Sequence, residues 1–127
     1  MCQLDCNVVW YFLMLDRITI VLAQWCPHCV PLALEKAEQM AKQLGVELQV
    51  LDIDDPEQER IADSLVNDYG DSAEDYLIPQ VFFEEDGKVK HVFTGFSEGV
   101  DVSRARWDDF FASEYYQTKL KTPKKPN

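Results

Sequence analysis

Arg17-Ile18-Thr19-Ile20-Val21-Leu22-Ala23-Gln24-Trp25-Cys26-Pro27-His28-Cys29 joins a run of β-branched and apolar residues to two cysteines with two residues between them. The run predicts a strand, and Val30 to Leu44, with apolar residues at helical spacing, predicts a helix. The cysteine pair therefore falls where a strand ends and a helix begins. Two thiols at that spacing and in that setting read as a dithiol/disulfide redox couple. A thiol there faces unpaired backbone N–H groups and the positive end of a helix dipole, which favour the thiolate and lower its pKa. Cys26 is thus the expected nucleophile. Pro27 fits the first helical turn, where its missing N–H costs nothing, and holds the turn that presents Cys26 outward. Cys29, one turn further in, is the expected resolving thiol.

A length of 127 residues with 46% apolar content suits one domain with its own core and is too short for two. The net charge of −11 excludes nucleic acid as a partner, because phosphate neutralisation needs Lys and Arg that this surface lacks. An acidic surface suits attraction to basic partners. Four cysteines in a domain of this size do not make a disulfide scaffold, which is smaller and denser in cysteine. A reducing compartment is the default, and a cytoplasmic location is expected.

Upstream, Val8-Val9-Trp10-Tyr11-Phe12-Leu13-Met14-Leu15 is a continuous apolar run, far shorter than the roughly 20 residues that span a bilayer. A secretory signal carries a positive n-region, whereas this segment has Asp5 and no Lys or Arg before Arg17. No export signal is read, and no membrane contact is expected. Residues 1–16 read as an apolar segment that adds a strand or packs over the domain at 17–118; an exposed surface for dimerisation or membrane contact is the alternative. Cys2 and Cys6, four apart, are read as free thiols near a terminus. A second redox pair, or zinc held by all four cysteines, is the competing reading.

Downstream, Val30, Leu34, Ala37, Met40, Ala41 and Leu44 form an inward helical stripe, which Gly45 ends. Val46 to Ile53 alternates as a strand with one buried face. Asp54, Asp55 and Pro56 open a second helix reaching about Tyr69. Helix capping and a solvated loop account for Asp52, Asp54 and Asp55, so no metal site is expected. Gly70 to Tyr76 is a polar connection to Leu77-Ile78-Pro79-Gln80-Val81-Phe82-Phe83. Pro79 is either a trans proline that starts an edge strand or a cis proline that brings backbone beside the dithiol. Asp86-Gly87 predicts a hairpin turn between Val81 to Phe83 and Val89 to Phe93. Val100 to Tyr116 predicts a last helix, with Trp107, Phe110, Phe111 and Tyr115 in the core. Residues 119–127, with Lys121, Pro123, Lys124, Lys125 and Pro126, read as a disordered, solvated tail.

The order strand, CxxC, helix, strand, helix, Ile-Pro strand, hairpin, helix resembles the thioredoxin superfamily over about Arg17 to Tyr116. The resemblance implies an α/β, thioredoxin-like fold, with a central mixed β-sheet of about four strands flanked by helices. It implies a cis Pro79 lying against the nucleophilic cysteine, Ile78 offering backbone hydrogen bonds to a substrate strand, and Gly95 beside the active site. The Cys-Pro-His-Cys tetrad is similar to that of bacterial DsbA-type oxidants, but this chain has no room for their large helical insertion. The single strand before the CxxC resembles the short glutaredoxin-like core. Where thioredoxins carry a buried Asp six residues before the first cysteine, this chain has Ile20. Gly95-Phe96-Ser97-Glu98-Gly99-Val100-Asp101 loosely approaches the loop through which glutaredoxins bind glutathione.

The chemistry expected of the motif is thiol–disulfide exchange with protein disulfide or dithiol substrates, recycled by a reductase or by glutathione and requiring no cofactor. A Cys26 thiolate attacks a substrate disulfide, and Cys29 resolves the mixed disulfide. His28 stabilises the thiolate electrostatically and so raises the reduction potential above thioredoxin's roughly −270 mV. Trp25 shields the dithiol and offers apolar contact to substrates. His91, in the hairpin, is expected at the surface. A glutathione-dependent, glutaredoxin-like reductase is the alternative within this class. Outside it stands a non-enzymatic module of the same fold whose cysteines bind metal or whose apolar N-terminus docks a partner.

Overall fold

The computed structural model describes residues 15–71, 76–96 and 98–121. Four strands, β1 (Leu15–Leu22), β2 (Glu47–Asp52), β3 (Gln80–Glu85) and β4 (Lys88–Thr94), form one mixed sheet in the order β2-β1-β3-β4. β1 and β2 are parallel, whereas β1 pairs with β3 and β3 with β4 in antiparallel fashion. The central strand β1 is buried without a break from Ile18 to Leu22, as a strand covered on both faces must be. It starts two residues before the Arg17 expected from sequence. The apolar run before Leu15, with Cys2 and Cys6, lies outside the described residues.

The helices are α1 (Leu34–Leu44), α2 (Pro56–Tyr69), α3 (Val100–Ala112) and α4 (Glu114–Lys121). Successive residues of β3 sort them into layers. Phe83 meets the rings of Phe110 and Tyr115, from α3 and α4, whereas Gln80 and Phe82 face the end of α2 at Gly70. Lys36 to Asp108 and Tyr116 to Gln43 tie α1 to the α3/α4 layer. The sheet is thus sandwiched between α2 and the other three helices.

Local chemistry sets the boundaries. Gly45 ends α1 in the left-handed conformation at φ 69°. Asp55 caps α2, accepting from the amides of Glu57 and Gln58, with Pro56 at the first position. Asp86 (φ 52°) and Gly87 (φ 74°) make the hairpin turn. The expected last helix breaks at Ser113, which takes extended backbone angles; its hydroxyl accepts the Tyr116 amide at 3.2 Å and starts α4 afresh. The break rotates the following stripe, so Tyr116 is buried at 1% exposure and Tyr115 only half-buried. α4 also runs to Lys121, so the first residues of the expected tail are helical.

The first expected helix is corrected as well. Regular helix begins only at Leu34. The turn His28–Ala33 before it is broken at Val30, whose φ −128° and ψ 125° are extended, as the residue preceding a proline prefers. The bonds Val30–Pro31 and Ile78–Pro79 are both cis.

Candidate active site

The end of β1 delivers the motif. The Cys26 amide donates to the Ala23 carbonyl at 3.2 Å, and the amides of Cys29 and Val30 both donate to the Cys26 carbonyl at 3.0 Å. The nearby backbone donors therefore close on that carbonyl. Because α1 starts at Leu34, Cys26 does not stand at the N-terminus of an uninterrupted helix, contrary to the reading from spacing. Nor does the turn present it outward. Cys26 is 4% exposed and belongs to the core, while Pro27 in front of it is exposed. The tight turn closed on Ala23 holds the cysteine in the wall of the core.

Both Cys26 and Cys29 are free thiols. Burial pushes the Cys29 thiol well above its ordinary range, an amide contact from Ala23 works against that shift, and a hydrogen bond to the Cys26 sulfur adds to it. Burial thus favours the protonated form of Cys29.

His28 is half-buried against the Phe96 ring, with centroids 5.3 Å apart. Its Nδ1 lies 2.6 Å from Ser103 Oγ, and that hydroxyl donates to the Gly95 carbonyl at 2.8 Å. The Gly95 amide in turn donates to the Pro79 carbonyl at 2.8 Å. Pro79 precedes β3, whose Gln80 is paired with Val21 of β1, so the register brings Pro79 alongside the turn that carries Cys26. His28, Gly95 and Pro79 are therefore linked, through Ser103, in one chain of hydrogen bonds. Ile78 and Pro79 are buried.

Trp25 is 67% exposed beside Cys26, and its Nε1 donates to Asp54 at 3.1 Å. The Asp54 amide in turn donates to Asp52 Oδ1, and Asp55 caps α2, so these carboxylates have structural work. Among the described residues, no group of three or more His, Cys, Asp or Glu side chains is placed to hold a metal ion. No helix among them is long and apolar enough to cross a membrane.

Sequence reasoning missed two residues of this site. Ser103 is fully buried on the stripe that also carries Trp107; a small polar residue in an otherwise bulky stripe was the available signal. Gln80 is fully buried too. Its side chain accepts the Asp71 amide at 3.0 Å and donates to the carbonyls of Asp71 (3.0 Å) and Leu77 (2.7 Å). It clamps the connection that leads to Ile78 and Pro79. His91, expected at the surface, is half-buried. Its Nε2 is 2.8 Å from Thr94 Oγ1, which donates to Asp71, and burial lowers its pKa despite the nearby Asp71.

The strand order and the placement of the helices are those of a thioredoxin-like fold. No protein-family model matches the chain, and no curated protein matches it. Among solved structures it is similar to "X-ray structure of Fasciola hepatica thioredoxin", with 22% identity, 86% of this chain and 92% of that chain covered, and a TM-score of 0.43.

Proposed function

We propose that this chain is a thiol–disulfide oxidoreductase working through Cys26 and Cys29. The observation that carries the proposal is the pair in its turn: two free thiols two residues apart at the end of β1, the Cys26 amide closed onto Ala23 and the Cys29 amide onto the Cys26 carbonyl, with Cys29 the fully buried member.

In the reductive direction, the Cys26 thiolate attacks one sulfur of a substrate disulfide. A Cys26–substrate disulfide forms, and the other substrate sulfur leaves as a thiolate that takes up a proton. Cys29 then gives up its proton and attacks Cys26 Sγ, releasing the second substrate thiol and leaving the Cys26–Cys29 disulfide. A thiol reductant, glutathione or a protein, returns two electrons to the pair. Run backwards, the same steps oxidise a dithiol. His28, two residues from Cys26, stabilises negative charge on the attacking sulfur.

Protein disulfides are the proposed substrates. The exposed Trp25 offers an apolar platform beside Cys26, and the Ile78 backbone, next to the Pro79–Gly95 contact, offers hydrogen bonds to an extended segment. Reduction of insulin disulfides, followed with dithiothreitol as recycling reductant, tests the proposal. Wild-type protein accelerates the reaction, and Cys26→Ser is inactive; wild-type protein no faster than reductant alone would overturn it.

A further inference from the structure

Ser103 lies 75 residues from His28 in sequence, on a different element, and is fully buried, yet the two side chains meet at 2.6 Å. A hydroxyl has one hydrogen to donate. Ser103 Oγ stands 2.8 Å from the Gly95 carbonyl oxygen, which can only accept. Two oxygens at that distance require a proton between them, so the hydroxyl hydrogen is committed to Gly95. The contact with His28 must then be made by a hydrogen on the imidazole. His28 therefore carries its proton on Nδ1, which donates to Ser103, and leaves Nε2 as the other ring nitrogen. A hydroxyl that is itself donating is a stronger acceptor, so the Gly95 carbonyl reinforces the grip on the ring.

We propose that Ser103 is a positioning residue of the redox centre: it fixes the tautomer and orientation of His28, and through the Gly95 carbonyl ties the CxxC turn to the loop that touches Pro79. The assignment deepens the oxidoreductase reading and rests on it. With Nδ1–H held by Ser103, Nε2 is the nitrogen left to take up a proton, and an imidazolium already fixed in orientation two residues from Cys26 stabilises the reduced, thiolate-bearing form better than one free to rotate, because the ordering is complete before charge develops. Ser103 acts only through His28. Its loss should weaken the reduced form and shift the exchange with glutathione, in which the protein dithiol and glutathione disulfide give the protein disulfide and two glutathione thiols, toward the protein disulfide.

Two readouts on the full-length chain test this. In long-range nitrogen–proton spectra of the reduced, isotope-labelled protein at a pH where the ring is neutral, His28 should show the Nδ1–H tautomer; Ser103→Ala should mix the tautomers and Ser103→Thr restore the single one. In defined glutathione buffers, Ser103→Ala should raise the equilibrium constant for disulfide formation by roughly 2- to 10-fold, the weight of one hydrogen bond. In a His28→Ala background the same substitution should leave that constant unchanged. The background comparison decides the matter if the extra methyl of Thr does not pack. An Nε2–H tautomer in the wild type, or an equal effect of Ser103→Ala with and without His28, would overturn the assignment. Failure of the wild type to form any Cys26–Cys29 disulfide would overturn the oxidoreductase reading and Ser103's redox role with it, whereas a normal disulfide indifferent to Ser103 overturns only the latter.

Discussion

Gly95 and Pro79 are in direct contact: the Gly95 amide donates to the Pro79 carbonyl at 2.8 Å, and a Cβ built on Gly95 would come within 2.8 Å of Pro79 Cγ. The same Cβ would lie 3.1 Å from Trp107 Nε1 and 3.3 Å from Phe93 Cε2, so it is hemmed in by packed rings rather than by a flexible side-chain tip. Gly95→Ala is expected to destabilise the protein by about 1–3 kcal/mol, as overpacking does, and to slow disulfide exchange by displacing Pro79. Urea titration with a parallel exchange assay checks both. Gly99→Ser is the control, because a Cβ there meets nothing within 4 Å and Ser is a good residue at the start of α3.

Gln80 satisfies three backbone groups from a fully buried position. Gln80→Leu keeps most of the volume but strands the Asp71 amide and the carbonyls of Asp71 and Leu77. A loss of about 2–4 kcal/mol is expected, since each stranded buried group costs on the order of 1–3 kcal/mol when water cannot reach it and less when it can. The midpoint of urea unfolding measures it. A loss below about 1 kcal/mol would mean that water replaces the side chain.

The inequality of the thiols leads to different traps. Cys29→Ser leaves a nucleophile without a resolving thiol, so the mixed disulfide between Cys26 and glutathione should accumulate; Cys26→Ser should accumulate little, because Cys29 is wholly buried, against 4% exposure at Cys26, and its burial favours the thiol over the thiolate. Intact-mass spectrometry after exposure to glutathione disulfide reads the adduct. Equal adduct on both variants would contradict the assignment of roles.

His91 supplies a pH dependence. Burial holds its pKa below the ordinary 6.5, with Asp71 only partly offsetting it. A folded value below the unfolded one means that the contribution to stability is complete above pH 6.5 and is lost as pH falls from there toward the folded value. The urea midpoint should therefore drop between about pH 7 and 5.5, in the range where unfolded histidine takes up its proton. His91→Gln should flatten that slope; an unchanged slope would assign it to other groups.

Much of the frame was readable because it depends on local chemistry. Asp55-Pro56 at the start of α2, Asp86-Gly87 in the hairpin and Gly45 after α1 each act through a few neighbouring atoms, and each behaves as its residue type dictates. The CxxC pair was readable for the same reason. What escaped depends on competition or on distant partners. Pro31 and the extended Val30 interrupt the helix that the apolar spacing of Val30 to Leu44 suggests, which moves its regular start to Leu34. Ser113 outcompetes helical continuity and turns Tyr116 inward in place of Tyr115. Cys26 is drawn into the core by a turn bond to Ala23 that leaves no mark on spacing. Ser103 and Gln80 become parts of the site only through groups that folding brings to them.

The central claim is that Cys26 and Cys29 form an independent redox couple, and its most direct test is their equilibrium against defined glutathione buffers, read by thiol trapping and mass spectrometry. A Cys2→Ser/Cys6→Ser variant is run alongside. The expected result is a reversible two-electron transition, unchanged in that variant, with a midpoint less negative than roughly −270 mV. Failure to detect a Cys26–Cys29 disulfide at any glutathione ratio would contradict the account.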